Sequence, residues 1–259
     1  MILSDIIEAK RAHIEQSKKV MSLEYIKHCL SKKNILRRNF KQAISQSHDI
    51  NIIAEIKRAS PTRGVIRQEF DPKNIAREYQ INGAAAISVL TEENFFKGSL
   101  SYIKEIKKVT NLPVLRKDFI IEEYQVYESA LAEADAILLI THILSKEEII
   151  KLSGLAKSLN MAVLCEAHSK EELEKAISAR QDIIGINNRD LNTFKLSIST
   201  TENLIGIVPS GKIIVSESGI RTRSDILFLK SIGASAVLIG EVFMDAEDIG
   251  KKVREFTGK

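Results

Sequence analysis

The stretch Asn51-Ile52-Ile53-Ala54-Glu55-Ile56-Lys57-Arg58-Ala59-Ser60-Pro61 decides the fold. Its apolar residues read as a buried strand, yet Glu55 and Lys57 interrupt it two residues apart. Side chains alternate along a strand, so Ile53, Glu55 and Lys57 share one face and Ile52, Ala54 and Ile56 share the other. A parallel strand covered on both faces reads as a nearly unbroken apolar run. A carboxylate and an ammonium on one such face are costly unless they sit at its wet end. They make either a satisfied internal ion pair or part of a functional site. The other strand ends decide between the two.

From Asn51 onward, short apolar runs alternate with longer amphipathic ones. Strands are expected at 52–57, 85–90, 113–116, 136–140, 162–166, 183–187, 213–217 and 236–240. Helical patterns lie between and after them, near 72–82, 100–109, 122–134, 146–159, 170–179, 201–208, 223–232 and 246–256. Eight strand-then-helix units imply a parallel sheet. Residues 49–259 have the right length to close it into an α/β (β/α)8 TIM barrel. A doubly wound open sheet would carry a Gly-rich fingerprint after its first strand. Here that position reads Lys57-Arg58-Ala59-Ser60-Pro61.

On the other side of the opening stretch, residues 1–48 are expected to form a helical N-terminal extension packed on the barrel, in one domain overall. Ile2, Leu3, Ile6, Ile7, Ala9, Ile14 and Val20 fit a helical stripe, and Leu23, Ile26, Leu30, Ile35, Leu36 and Phe40 fit a second. Such an extension caps the barrel, and it could also close over a ligand.

Composition narrows the function. The chain has 259 residues, 44% hydrophobic and 28% charged, which is ordinary for a globular protein. Its net charge of +4 is spread along helical segments, and aromatic residues are only 5% with no Trp, so stacking surfaces for nucleic acid are scarce. Two isolated cysteines, Cys29 and Cys165, suggest a reducing compartment. No apolar run approaches a membrane span, and Met1–Asp5 lack the basic head and apolar core of a signal peptide. A cytoplasmic enzyme is expected, with neither nucleic acid nor membrane as partner. A monomer is expected, although the sequence leaves an oligomer open.

In a barrel the active site lies at the C-terminal strand ends, and those ends are where this sequence turns polar. They read Glu55 and Lys57, Arg116-Lys117-Asp118-Phe119, Glu166-Ala167-His168, Asn187-Asn188-Arg189-Asp190, Ser216-Glu217-Ser218-Gly219 and Gly240-Glu241. Parity places Glu217 on a row with Ile213 and Val215, Glu166 with Ala162 and Leu164, and Asn187 and Arg189 with Gly185. Each row is expected to point into the barrel. Convergence of Lys, Glu, Asn and Arg on one opening points to a catalytic site. Gly219 and Gly240, after the seventh and eighth strands, mark a phosphate subsite, since barrels commonly bind phosphate there through backbone N–H groups. Glycine lets the backbone approach the anion closely.

These residues resemble a known family. Glu55-Ile56-Lys57-Arg58-Ala59-Ser60-Pro61-Thr62, Ser88-Val89-Leu90-Thr91-Glu92, Pro113–Phe119, Gly185–Arg189, Ser216–Ile220 and Leu238-Ile239-Gly240-Glu241 are similar, in order, to motifs of the indole-3-glycerol phosphate synthases. The resemblance implies a cofactor-free enzyme of tryptophan biosynthesis with no metal. Its substrate would be 1-(2-carboxyphenylamino)-1-deoxyribulose 5-phosphate, which undergoes ring closure and then loses CO2 and water. The family's catalytic positions match Glu55, Lys57, Lys117, Glu166, Asn187, Glu217 and Ser218. Ile239 and Glu241 join Gly219 and Gly240 at the phosphate. The pair Cys165 and Ala167 departs from the family's Val-Glu-Val-His pattern but has outward parity.

Weighed against that chemistry, Lys117 is the expected general acid for ring closure, if desolvation or a cation such as Arg116 lowers its pKa. Glu166 is the expected base. Lys57 would meet the departing carboxylate or the phosphate, or protonate the leaving hydroxyl. Glu55 and Glu217 would orient the lysines, and Asn187 would position Glu55 or the ring nitrogen. Ser60 and Arg189 would assist at the phosphate or close the first loop, which is long enough to act as a lid. Phe96, Phe119, Leu138 and Leu191 would wall the aromatic ring. A phosphoribosylanthranilate isomerase would want a cysteine near the first strand instead. For a metal site, no close histidine pair stands out in the sequence.

Overall fold

The computed structural model describes residues 2–45, 49–190 and 195–258. Eight parallel strands close into one barrel. They are β1 (Asn51–Ile56), β2 (Ala86–Leu90), β3 (Val114–Lys117), β4 (Ala136–Ile140), β5 (Ala162–Ala167), β6 (Ile183–Asn187), β7 (Ile213–Glu217) and β8 (Ala236–Ile239). Each pairs with its sequence neighbours, and β1 pairs with both β2 and β8. The expected strand positions hold to within a residue or two. What the spacing of apolar runs predicts is therefore what the backbone does.

The alternation of side chains sorts the core into two layers. Ile53, Leu115, Leu138, Leu164, Ile213, Val215 and Leu238 pack inside the barrel. Ile52, Ala54, Ile56, Ile87, Ile137 and Val237 point outward, under the helices. The parity read from β1, β5 and β7 is thus observed directly. Cys165 packs in the outer layer, as its parity requires, and burial pushes its thiol up to about 12.

The helices are α1 (Ile2–Val20), α2 (Leu23–Lys32), α3 (Phe40–Ala43), α4 (Pro72–Ile81), α5 (Ser101–Lys107), α6 (Glu123–Leu131), α7 (Lys146–Ser158), α8 (Lys170–Ser178), α9 (Ser199–Ile205), α10 (Arg223–Ser231), α11 (Glu241–Asp245) and α12 (Ile249–Thr257). Their starts are set locally. Asp71 caps α4 and has Pro72 behind it. Ser145 with Glu148, and Thr222 with Asp225, form reciprocal capping boxes. Two small elements have no counterpart in the sequence reading. Ala59–Ser60 pairs antiparallel with Gly64–Val65 in the loop after β1. The short helix α11 follows β8 directly, where a single helix over 246–256 is expected. Only Gly240 separates the strand from this helix, so the five-residue helix reads in sequence as part of the strand-end turn.

The N-terminal segment serves both ends of the barrel. Its third helix closes the bottom: Phe40 and Ile44, fully buried, pack against Ile53, Ala86 and Ile213 in the inner layer. Arg37 and Arg38 reach along the outside to the carbonyls of Ala134, Ala130, Leu112 and Lys107. At the top, α1 lies by the mouth, with Ile6 and Ile14 buried. Lys10, a position the sequence reading passes over, is only 3% exposed because its ammonium sits 2.8 Å from Asp118. Two expected stripe members, Val20 and Leu36, stand in solvent at 84% and 87% exposure. Val20 ends α1, and Leu36 lies in the non-helical link before α3, so neither has a surface to cover.

Candidate active site

Glu55, Lys57, Lys117, Glu166, Asn187 and Ser218 all line one cavity at the C-terminal mouth. They come from β1, β3, β5, β6 and the turn after β7. The strand register explains why they converge. Asn187 pairs with Glu217, and Glu166 with Gly185, so the charged row of one strand lies level with that of the next.

The central group is Lys117. Its Nζ lies 3.0 Å from Glu166 Oε2 and 3.5 Å from Glu217 Oε2. Asn187 Nδ2 donates to Glu166 Oε1 at 3.0 Å, which fixes the carboxylate's plane, and Asn187 Oδ1 accepts from the Arg189 N–H. Asn187 therefore positions Glu166, not Glu55. A second pair stands beside the first: Lys57 Nζ is 2.9 Å from Glu55 Oε1.

Electrostatics divide the carboxyls. Burial favours the neutral lysine, but the acidic side chains around it, Glu166 foremost, outweigh it and hold Lys117 well above the ordinary lysine range. The expected lowering is thus reversed. Arg116 does not supply it, because its guanidinium points outward into a buried network with Asp118 and Glu128. Burial raises Glu166 too, but Lys117 and the Asn187 amide overcome it, so Glu166 stays ionised. Glu217 goes the other way. Burial, reinforced by the negative charges of Glu166 and Glu55, pushes its carboxyl up to about 8. Neither of its oxygens accepts a direct hydrogen bond among the described residues. It does not line the cavity; it lies behind Lys117, over Gly185.

That packing reveals two glycine roles outside the sequence reading. A Cβ at Gly185 would stand 2.1 Å from Glu217 Oε1. A Cβ at Gly240 would stand 2.4 Å from Glu55 Oε1 and 2.9 Å from its Cβ. Each glycine makes room for a site carboxylate, so Gly240 is constrained by Glu55 as well as by its place on the rim.

The rest of the cavity wall divides by polarity. Phe96 and Phe119 lie on one side with ring centroids 6.2 Å apart, next to Leu138. Leu3 and Ile6 of α1 complete this wall. Leu191 lies outside the described residues. Across the opening, Gly219, Ile239, Gly240, Glu241 and Arg189 line the polar rim. Ser218 and Gly219 both take left-handed backbone conformations, φ 66° and 76°. Asn188 holds that turn, donating to Ser216 Oγ and the Ser218 carbonyl at 3.0 Å each.

Over the mouth, the loop after β1 brings Ser60 to the cavity and is pinned at several points. The Ala59 N–H donates to the Phe96 carbonyl, and Arg67 donates to the carbonyls of Met244 and Ala246. Arg63 pairs with Glu241 and Asp245. Glu92 carries the next loop by accepting from the N–H groups of Asn94, Phe95 and Phe96. Lys10, Asn188 and Glu92 support the site; Asn188 and Glu92 lie within motifs read above without a role of their own, and Lys10 lies outside all of them.

A family model described as indole-3-glycerol phosphate synthase matches residues 3–256. The chain belongs to the indole-3-glycerol phosphate synthase family. An indole-3-glycerol phosphate synthase of Acetivibrio thermocellus is 46% identical over 257 residues, covering 99% of each chain. One of Caldanaerobacter subterraneus subsp. tengcongensis is 48% identical, covering all of this chain and 98% of its own. One of Campylobacter fetus is 46% identical over the full length of both. Likeness to solved structures confirms the barrel alone. A thiamine phosphate pyrophosphorylase of Pyrococcus furiosus has TM-score 0.62 at 16% identity, over 80% of this chain and 94% of that one. KGPDC of Streptococcus mutans has TM-score 0.61 at 9% identity, over 80% and 95%.

The chain is thus a carbon–carbon lyase of tryptophan biosynthesis that converts a phosphorylated small molecule into indole-3-glycerol phosphate. No helix among the described residues is long and apolar enough to cross a membrane.

Proposed function

We propose that Lys117 is the general acid of ring closure and Glu166 the base that removes the last proton before the indole is formed. The observation behind this reading is the Lys117 ammonium on the cavity wall, 3.0 Å from Glu166 and 3.5 Å from Glu217. The negative charges of Glu166 and Glu55 keep that lysine protonated, so a proton is always in place for the ketone oxygen. As the aromatic carbon attacks, Lys117 gives up its proton and the oxyanion never has to exist free in a low-dielectric pocket. Glu217, whose carboxyl holds a proton at neutral pH, lies where it can return one to Lys117. Glu166, kept ionised by the same lysine and by Asn187, then accepts the ring proton that restores aromaticity.

Lys57 meets an anionic group of the substrate and protonates the hydroxyl that leaves as water, while Glu55 aims it. Phe96, Phe119 and Leu138 hold the carboxyphenyl ring against an apolar wall; Leu191 is expected to join them. The phosphate lies at the other rim, on the backbone of Ser218, Gly219, Ile239, Gly240 and Glu241, with the Arg189 guanidinium beside it. Glu241 contributes through its N–H, because its carboxylate would repel a dianion and is turned to Arg63 and Arg189. Ser60 closes the first loop over the ring.

Residues 1–48 work as one unit with the 49–259 barrel, since Leu3 and Ile6 complete the cavity wall. We infer further that the enzyme is cytoplasmic, acts as a monomer with a site built from one chain, and turns over without a cofactor. The direct test incubates the purified chain with 1-(2-carboxyphenylamino)-1-deoxyribulose 5-phosphate in excess chelator and follows indole fluorescence. Turnover at undiminished rate is expected. Activity that collapses with chelator and returns with metal would overturn the cofactor-free reading.

A further inference from the structure

A second cluster of polar side chains stands apart from the groups assigned to the reaction. His142 follows β4, His168 follows β5, and Glu172 lies in the first turn of α8. Twenty-six positions separate the two histidines, so no metal-binding spacing shows in the sequence. Adjacent strands nevertheless bring their rings to 5.3 Å between centroids. Glu172 bridges them: Oε1 is 2.6 Å from His142 Nδ1, and Oε2 is 2.8 Å from His168 Nδ1. One ligand atom from each of the three residues lies within 4.8 Å of the others.

We propose that His142, His168 and Glu172 form a binding site for one late first-row divalent transition metal, of the Zn2+ or Co2+ class. Two imidazoles and one carboxylate are a common protein donor set for such a metal, with water at the fourth position. At metal–ligand lengths near 2.0–2.1 Å, tetrahedral donors stand about 3.4 Å apart. The carboxylate–imidazole separations of 2.6 and 2.8 Å need to open by about 0.6–0.8 Å to reach that spacing. The side chains are placed for it: those of His168 and Glu172 are 11% exposed and that of His142 is 29% exposed, so the cluster is held on one side and open to solvent on the other.

The surroundings supply a supporting shell of the kind metal ligands require. The His168 backbone N–H donates to Glu172 Oε2 at 3.0 Å, and the Thr141 hydroxyl lies 3.2 Å from the same oxygen. Ser169 caps α8 and fixes the turn that carries Glu172. These contacts hold the carboxylate in place whether or not the histidines leave it for a metal. Lys175 of α8 is occupied elsewhere, donating to the carbonyls of Thr141 and Leu144. Nitrogen donors exclude Mg2+ and Ca2+, which select oxygen.

The test is titration of the metal-free full chain with Co2+, read by visible absorption, and with Zn2+, read by competition against a chromophoric chelator. One equivalent of Co2+ is expected to give d–d bands of a four- or five-coordinate nitrogen and oxygen site, and one equivalent of Zn2+ to abolish them. His142→Ala, at a residue that does not line the cavity of the proposed acid and base, is expected to lose the bands and weaken Zn2+ binding at least tenfold, while chelator-treated enzyme keeps its turnover. Glu172→Gln is expected to do the same to binding, and circular dichroism checks its fold. Bands that persist in His142→Ala, an octahedral hexa-aqua spectrum in the wild type, or binding no tighter than that of a surface histidine would each overturn the proposal. None of these readings depends on the roles of Lys117 and Glu166.

Discussion

The two ends of the barrel are built from the same eight strands and the same inward-facing rows, yet they are opposites. At the bottom, Phe40 and Ile44 plug an interior of Ile53, Ala86, Ile183 and Ile213. At the top, the same rows end in Glu55, Lys117, Glu166, Asn187 and Glu217. Glu55, Glu166, Asn187 and Glu217 are buried and the Lys117 side chain is 16% exposed, and the rows carry charge here at Lys117 and Glu166. Two residues along β1 convert Ile53 into Glu55; two along β7 convert Val215 into Glu217. The bottom gains stability from every group it buries. The top holds ionised groups that are tolerated only because each has a partner. Stability and chemistry are therefore separable along one axis, and substitutions at the two ends should fail in different ways.

The largest effect is expected at the top. Glu166→Gln keeps the side-chain shape and removes the proton acceptor, so kcat should fall by ~10²–10⁴-fold. Ring closure should continue, and an intermediate formed before the final proton loss should accumulate and be seen by quenched-flow chromatography. Unfolding midpoints should change little. Uniform loss of all steps would break the contrast by making Glu166 a structural group.

Next comes the bottom. Phe40→Ala removes a buried ring from a plug with no route to the substrate, and should cost about 3–5 kcal/mol in denaturant unfolding. The kcat per folded molecule should stay near that of the parent. A large fall in kcat at full folding would show that the plug reaches the site through the strands.

The effect that is smallest over any one pH unit is a stability slope. In the folded chain Glu217 binds its proton up to about pH 8, whereas a free glutamate loses it near pH 4.5. Between those values the folded state holds the extra proton, so its contribution to stability is full below about pH 4.5 and is lost as the pH rises through 8. Glu217→Gln should remove up to about 1.4 kcal/mol per pH unit of that decline. Parallel stability profiles for the two proteins between pH 5 and pH 8 would contradict the raised carboxyl.

How legible each end was in the sequence follows from the same contrast. Alternation along single strands is a local property, so the rows ending in Glu55, Glu166 and Glu217 could be read from parity and strand position. Partnerships between elements are not local. Nothing near Asn187 says that its amide meets Glu166. Nothing near Lys10 says that it lies beside Asp118 across the mouth. Lys117 shows the cost most plainly: Arg116 is next to it in sequence, but the pleat sends that cation outward, and distant acidic groups, Glu166 foremost, set the lysine's charge instead. The glycines carry a similar lesson. Gly240 was legible as a close approach, but only the structure shows that Glu55 is one of the groups approaching.

The central claim is the division of labour between two lysines, one on β3 and one at the end of β1. Single-turnover rates of ring closure in Lys117→Ala and Lys57→Ala, with substrate affinity measured separately for each, test it most directly. The account predicts that Lys117→Ala slows ring closure by ~10²-fold or more with KM nearly preserved. It predicts that Lys57→Ala weakens binding and slows the later steps, yet still closes the ring. Near-normal ring closure in Lys117→Ala, together with its abolition in Lys57→Ala, would contradict the account and exchange the two roles.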